Sequence, residues 1–382
     1  MSPGRCIGVL VLALAWAGHA PGGSVPASAR AGATDALSRA RAVTRYIQTH
    51  FWDARKGLYR GFHPPRKGKL PYAFMWDNVV QTTVLTAAMR HDRDVYAPVL
   101  ARFFEGLDAH WDARRDPPGY QPYFAGGGDD RYYDDNAWAA IDLIYAWERT
   151  GEAKYLRRAE ATLRFVLSGW DEKQGGGIHW HVSRGRDKSK AQKGVCSNAT
   201  AAYAALRLAR HKPPDRRRAL IAHARRILNW TRRLQDTDKL YMDHVHSRTG
   251  KIQRHKWTYN TGMMIRCHLL AHRLTGDPAD RAEAVAVGRA AEALLDARTG
   301  AYRDAPFFSH LMAEADVELY RATGQRQFLL RARRTGEHFW RTWRARPPEE
   351  LKSVAGIARL LWVLADVTGD PPTTAPASPS AR

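Results

Sequence analysis

The chain has 382 residues, 44% hydrophobic and 26% charged, a balance that excludes a disordered or fibrous protein and is enough for a large core. Three cysteines exclude a disulfide framework, and none stands in the CxxC or CxxxC spacing of a thiolate zinc site, so neither metal nor cofactor is expected. The formal net charge of +22 either draws an anionic partner, such as an acidic polymer or phospholipid headgroups, or is spread over outer helix faces; no long basic block and no nucleic-acid-binding motif is present.

Arg5, the apolar run Cys6 to Trp16 and the small residues after it have the form of a cleaved secretory leader. The run is too short to span a bilayer comfortably. We therefore expect a leader and short linker over residues 1–31, and a folded domain over 32–370. An exported protein follows, secreted or periplasmic and cell-envelope-associated, with a retained anchor as the lesser alternative. The segment "PPTTAPASPSAR", within 371–382, has the composition of a disordered tail.

Between these ends one phrase recurs: "FWDARKGLYRG", "HWDARRDPPGY", "GWDEKQGGGIHW", "LQDTDKLYMD" and "LLDARTGAYRD". Its leading aspartates, Asp53, Asp112, Asp171, Asp236 and Asp296, are separated by 59, 59, 65 and 60 residues. A sixth, degenerate unit begins near Phe339. A period this long means one supersecondary element per repeat. The intervening segments have helical spacing, as in Ala137, Trp138, Ile141, Ile144 and Tyr145. Thr-Gly pairs at 150–151, 275–276, 323–324 and 368–369 supply the stop signals. Each unit is thus a helical hairpin followed by an Asp- and Gly-bearing loop. The expected fold is all-α, an (α/α)6 barrel, with an open solenoid as the alternative.

The helix starts carry the chemistry. "MWDNVVQ", "YYDDNAW", "CSNATAA" and "TYNTGMM" each hold an asparagine (Asn78, Asn136, Asn198, Asn260), 24 to 27 residues after the preceding loop aspartate. In a ring these polar starts converge on one mouth, which is where a ligand site belongs. An N-cap explains one polar residue per start. It does not explain Asp134 and Asp135 side by side among Tyr132, Tyr133 and Trp138. Asp129 and Asp130, in a glycine loop, suit solvation instead. Two carboxylates about 5–5.5 Å apart suit retaining glycoside hydrolysis, one attacking the anomeric carbon and the other protonating the leaving oxygen. Their repulsion raises one pKa and keeps that acid protonated. Trp76, Tyr133, Trp138, Trp180 and Tyr259 stand near the mouth and could stack on sugar faces.

"YYDDNAW", "GWDEKQGGGIHW", "CSNAT" and "WTYNTG", in this order, resemble glycoside hydrolase family 76, from about Ala36 to Asp370. That resemblance implies an (α/α)6 fold and a retaining, metal-free endo-α-1,6-mannanase activity. Asp134 is then the nucleophile and Asp135 the general acid/base. The residues expected around an α-mannoside at this mouth are Trp76, Asp77, Asn78, Tyr133, Asn136, Trp138, His179, Trp180, Asn198, Tyr259 and Asn260, and a monomer is expected. Three positions depart from the family pattern: Ala139 and His179 stand where a Trp is usual, and Thr261 where a Gln is usual. These changes touch substrate choice more than chemistry. Transglycosylation on mannosyl glycans and a non-catalytic glycan-binding barrel stay open. So does an epimerase or lyase using His179, His181, His244 or His246. Finally, helix register separates Cys196 from Cys267 by about 13 Å of rise, too far for a disulfide.

Overall fold

The computed structural model of the chain describes residues 27–367; the expected leader up to residue 26, the 368–369 turn and the 371–382 tail lie outside them. The described residues form twelve α-helices in two concentric layers. The inner ring is α2 (Met75–Ala88), α4 (Tyr133–Thr150), α6 (Val195–Ala209), α8 (Thr258–Thr275), α10 (Pro306–Thr323) and α12 (Leu351–Ala365). The outer layer is α1 (Ala27–His50), α3 (Arg93–Leu107), α5 (Ala153–Ser168), α7 (Pro214–Thr231), α9 (Pro278–Ala290) and α11 (Arg326–Ala345). Each inner helix packs on the next, and α12 packs back on α2. The ring is therefore a closed (α/α)6 barrel and not a solenoid. α1, which begins inside the segment expected to be linker, supplies the outer partner of α12, so the two ends of the domain meet.

Composition explains which helix goes where. In α2 only Trp76 among the fourteen residues is not buried, and α6 buries alanines on nearly every side. Small side chains let the inner helices approach closely. At Gly262 of α8 an added Cβ would stand 2.8 Å from the Leu311 carbonyl oxygen and the Met312 Cα of α10. Outer helices such as α5 and α11 bury one stripe and carry arginines on the other.

The recurring sequence signals are local hydrogen-bond devices. The three described Thr-Gly pairs each end an inner helix with glycine in the left-handed region, at φ 77°, 74° and 72° for Gly151, Gly276 and Gly324. The threonine hydroxyl donates to the carbonyl four residues back, as in Thr150 to Ala146 at 2.9 Å. It also accepts from the amide two residues on, as in Glu152 to Thr150 at 3.1 Å. The loop aspartates make tight turns. Asp112 accepts from the Arg114 amide at 3.1 Å, Asp171 from Lys173 at 3.1 Å and Asp296 from Thr299 at 2.8 Å. Those turns fold the repeated phrase into short antiparallel hairpins. β1 (Trp52–Asp53) pairs with β2 (Leu58–Tyr59), and β3 (Trp111–Asp112) with β4 (Gly119–Tyr120). Single bridges replace full strands at Trp170–Ile178, Gln235–Tyr241 and Leu295–Tyr302. A three-stranded sheet of β5 (Gln192–Gly194), β6 (His244–His246) and β7 (Ile252–Gln253) ties the third connection to the fourth. The sixth unit is degenerate: Phe339 lies inside α11, and only the short connection 346–350 leads from α11 to α12.

Candidate active site

All hairpins run from an outer helix to the next inner helix, so they collect over the N-terminal end of the inner ring. Asp134 and Asp135 occupy the first turn of α4. That start is held from outside, by the Tyr133 amide donating to the Trp180 carbonyl at 2.8 Å and by the Tyr132–His181 bridge. Asp135 caps nothing, and Asp134 takes only the next amide of the first turn.

The two carboxyls sit in different surroundings. Asp134 accepts from the Trp180 indole Nε1 at 2.8 Å and from the Asp135 amide at 3.0 Å. Burial pushes its pKa up to about 6, while these donors hold it down. The Asp135 side chain accepts no hydrogen bond among the described residues. Burial and the nearby charges of Asp134, Asp77 and Asp130 drive its pKa well above the usual carboxylate range. The pair therefore shares protons unequally, with Asp135 the protonated member.

Around the pair lie groups from all five other inner helices or their loops. Asp77, in the first turn of α2, is pushed up to about 6 by burial, with Lys352 of α12 at 3.8 Å opposing that shift. Cys196 of α6 and Tyr259 of α8 stand close enough to Asp134 to feel its charge, and Asp243 adjoins both. Asp243 is oriented by His244 Nδ1 at 2.9 Å and by the Asn260 amide at 3.3 Å. Trp138, Trp76, Phe308 and Tyr259 form an arc, with centroid separations of 6.2, 6.3 and 4.5 Å along it, and Trp257 joins at Phe308. The Trp138 indole N–H has no acceptor among the described residues.

The structure gathers Trp76, Asp77, Asp134, Asp135, Trp138, Trp180 and Tyr259, and reassigns others. Asn136 is fully buried; its Oδ1 accepts from the Tyr120 amide at 2.7 Å, and its Nδ2 donates to the carbonyls of Tyr120 and Tyr132. Asn198 repeats this on Ile178 and Gly194 at 2.8 to 3.0 Å. These asparagines staple each helix start to its hairpin and have no amide hydrogen left for a sugar. Asn78, also buried, donates to the Ala73 carbonyl at 3.2 Å. Tyr133 stacks on Phe165 of α5, 4.8 Å between centroids, and so packs behind the mouth. His179 is 1% exposed and bonded to Asp171 at 2.8 Å inside its hairpin, beside the fully buried Lys193. His181 pairs with Asp130 at 3.1 Å, and Asp129 with Arg131 at 2.8 Å. Cys267 is buried and its thiol donates to the Ala199 carbonyl at 3.2 Å. Sequence reasoning did not place Cys196, Lys352, Phe308 or Trp257 in the site, and weighed Asp243 only through its histidine neighbours.

Two carboxyls in unlike surroundings on one helix turn thus face an aromatic arc at one mouth of a helical barrel. Residues 35–300 match the model of glycosyl hydrolase family 76, and the chain belongs to that family. A family 76 α-mannanase of Bacteroides thetaiotaomicron superposes with a TM-score of 0.78 at 23% identity, over 87% of this chain and 96% of that one. An inactive variant of the α-1,6-mannanase GH76A of a Salegentibacter species, with two aspartates replaced and in complex with α-1,6-mannotetrose, gives 0.70 at 19% identity, over 87% and 99%. The meiotically up-regulated gene 191 protein of Schizosaccharomyces pombe is 29% identical over 197 residues, 49% of this chain and 44% of that protein, so the chain spans under half of that curated relative's length.

Proposed function

We propose that the chain is a retaining glycoside hydrolase that cleaves internal α-1,6-mannosyl linkages. The observation that carries this is the unequal pair: Asp134 held by two donors, Asp135 by none and facing negative charge. Asp134 attacks the anomeric carbon. The glycosidic C–O bond breaks as Asp135 delivers its proton to the departing oxygen. Water then attacks the glycosyl–Asp134 ester, giving its proton to Asp135, and both carboxyls return to their starting state. Trp76, Trp138, Phe308 and Tyr259 offer ring faces to the sugars, and Asp77 and Asp243 offer acceptors for their hydroxyls.

The α-1,6-mannotetrose bound by the Salegentibacter relative supports the substrate class. The leader-like start supports action outside the cytoplasm, on an envelope or environmental glycan. Linear α-1,6-mannan is the test substrate. Wild type should shorten it, and Asp134→Asn and Asp135→Asn should not. Proton NMR should show the α-anomer forming first; an initial β-anomer would sink the retaining mechanism.

A further inference from the structure

The opposite end of the barrel holds a second cavity, of about 160 Å³, lined from all six inner helices. Arg149 there is fifteen residues along α4 from Asp134, roughly 22 Å of helix rise away. Six arginines line this cavity: Arg90, Arg149, Arg207, Arg266, Arg321 and Arg359.

The nearby carboxylates are already shared. Asp366 takes Arg90 at 3.3 Å and His91 at 2.9 Å. Glu318 takes Arg266 at 2.9 Å and Arg273 at 3.3 Å. Glu314 holds Arg359 at 2.7 Å, and Glu148 holds Arg207 and His211. Arg149 and Arg321 have no carboxylate among the described residues. Arg149 spends only its Nε, on the Thr86 carbonyl at 3.2 Å, and Arg321 one Nη, on the Asp366 carbonyl at 3.2 Å. The buried Nε of Arg207 has no acceptor either.

Helix C-termini favour cations, which accounts for arginines at this end of the ring. It does not account for their convergence on one cavity with guanidinium hydrogens unspent. Burial, with Arg90 beside it, lowers the Arg149 pKa against the fields of Glu148 and Asp366. Planar, multi-donor guanidinium groups match tetrahedral oxyanions best.

We propose that this mouth binds a phosphate group, on Arg149 and Arg321 with Arg207 beside them, independently of the glycan site. The group could be free inorganic phosphate or the headgroup of an anionic lipid. Isothermal titration of the full chain with sodium phosphate, at ionic strength fixed with sodium chloride, tests the site. Saturable binding is expected, weakened at least tenfold in Arg149→Gln with an unchanged circular dichroism spectrum. Arg321→Gln serves the same purpose if the first variant does not fold. Flotation with phosphatidylglycerol vesicles separates the sources: co-flotation lost in the same variant assigns a lipid headgroup, and phosphate binding without flotation assigns the free ion. Absence of saturable phosphate binding, or equal binding by wild type and a folded variant, would overturn the site.

Discussion

The Trp180 indole N–H donates to Asp134 Oδ2 at 2.8 Å, so the hairpin after α5 sets the charge state of a carboxyl on α4. A hydrogen bond to an ionised acceptor contributes about 1.5–3 kcal/mol. Trp180→Phe keeps a ring and removes the donor. Its kcat/KM on α-1,6-mannan should fall by about ten- to a hundredfold. Because the lost bond favoured the ionised form, the acidic limb of its pH–rate profile should also move to higher pH. An unmoved limb would mean that Trp180 only packs.

The wild-type profile follows from the same pair. Asp134 must be ionised to attack, and its pKa lies at about 6, so kcat/KM should decline as pH falls through that value. Asp135 must be protonated to assist departure. Its pKa is displaced further upward, so an alkaline limb should appear where it ionises. In Asp135→Ala, assayed on an aryl α-mannoside whose leaving group needs no proton, the alkaline limb should vanish and the acidic limb persist. Assignment of the nucleophile to Asp134 fails if the acidic limb vanishes instead.

The parts of this molecule legible in the sequence are those that act over a few residues. The loop aspartates and Thr-Gly pairs fold their own turns, so their period counted the units, and the acid pair stood out against single-asparagine helix starts. Side-chain direction was not legible. Successive residues on a helix point about 100° apart, so Tyr133 faces α5 while Asp134 beside it faces the mouth. Asn136 and Asn198 look like rim residues until the hairpin backbone they satisfy is in place. Phe308 and Lys352 were missed because the fifth and sixth helix starts carry no asparagine to align them. The Cys196 thiol was judged only as a disulfide candidate.

The asparagine staples give a stability prediction that separates packing from binding. Asn136→Ala leaves the buried Tyr120 amide and carbonyl without their partner, which should cost about 1–3 kcal/mol in urea unfolding. The pH–rate profile of the folded fraction should keep its limbs, since the staple touches neither carboxyl. Asn198→Ala should behave alike through Ile178. A KM rise with undiminished stability would return these residues to the substrate.

Close approach of the inner helices gives another. Gly262→Ala would drive a methyl into the α10 backbone at 2.8 Å, and backbone cannot rotate aside as a side chain can. A loss of about 1–3 kcal/mol is expected. A wild-type urea midpoint would show that the two helices can separate at no cost.

Asp142 is a buried acid of α4 with no hydrogen-bond partner on either carboxyl oxygen among the described residues, and burial raises its pKa well above the usual range. The folded state then binds a proton that the unfolded chain has released. Stability is therefore lost as pH rises from the unfolded carboxylate value of about 4 toward the folded one, because the native state holds more protons across that window. Asp142→Asn is nearly isosteric and carries no charge. It should stabilise the protein at neutral pH by on the order of 1 kcal/mol, while leaving it little changed at pH 4. Thermal unfolding of both proteins at pH 4, 5.5 and 7 gives the comparison, and the gap between them should widen as pH rises. A gap that stays constant or closes would mean that Asp142 is compensated by a charge in the folded state, with Arg359, whose field lowers its pKa, the nearest source.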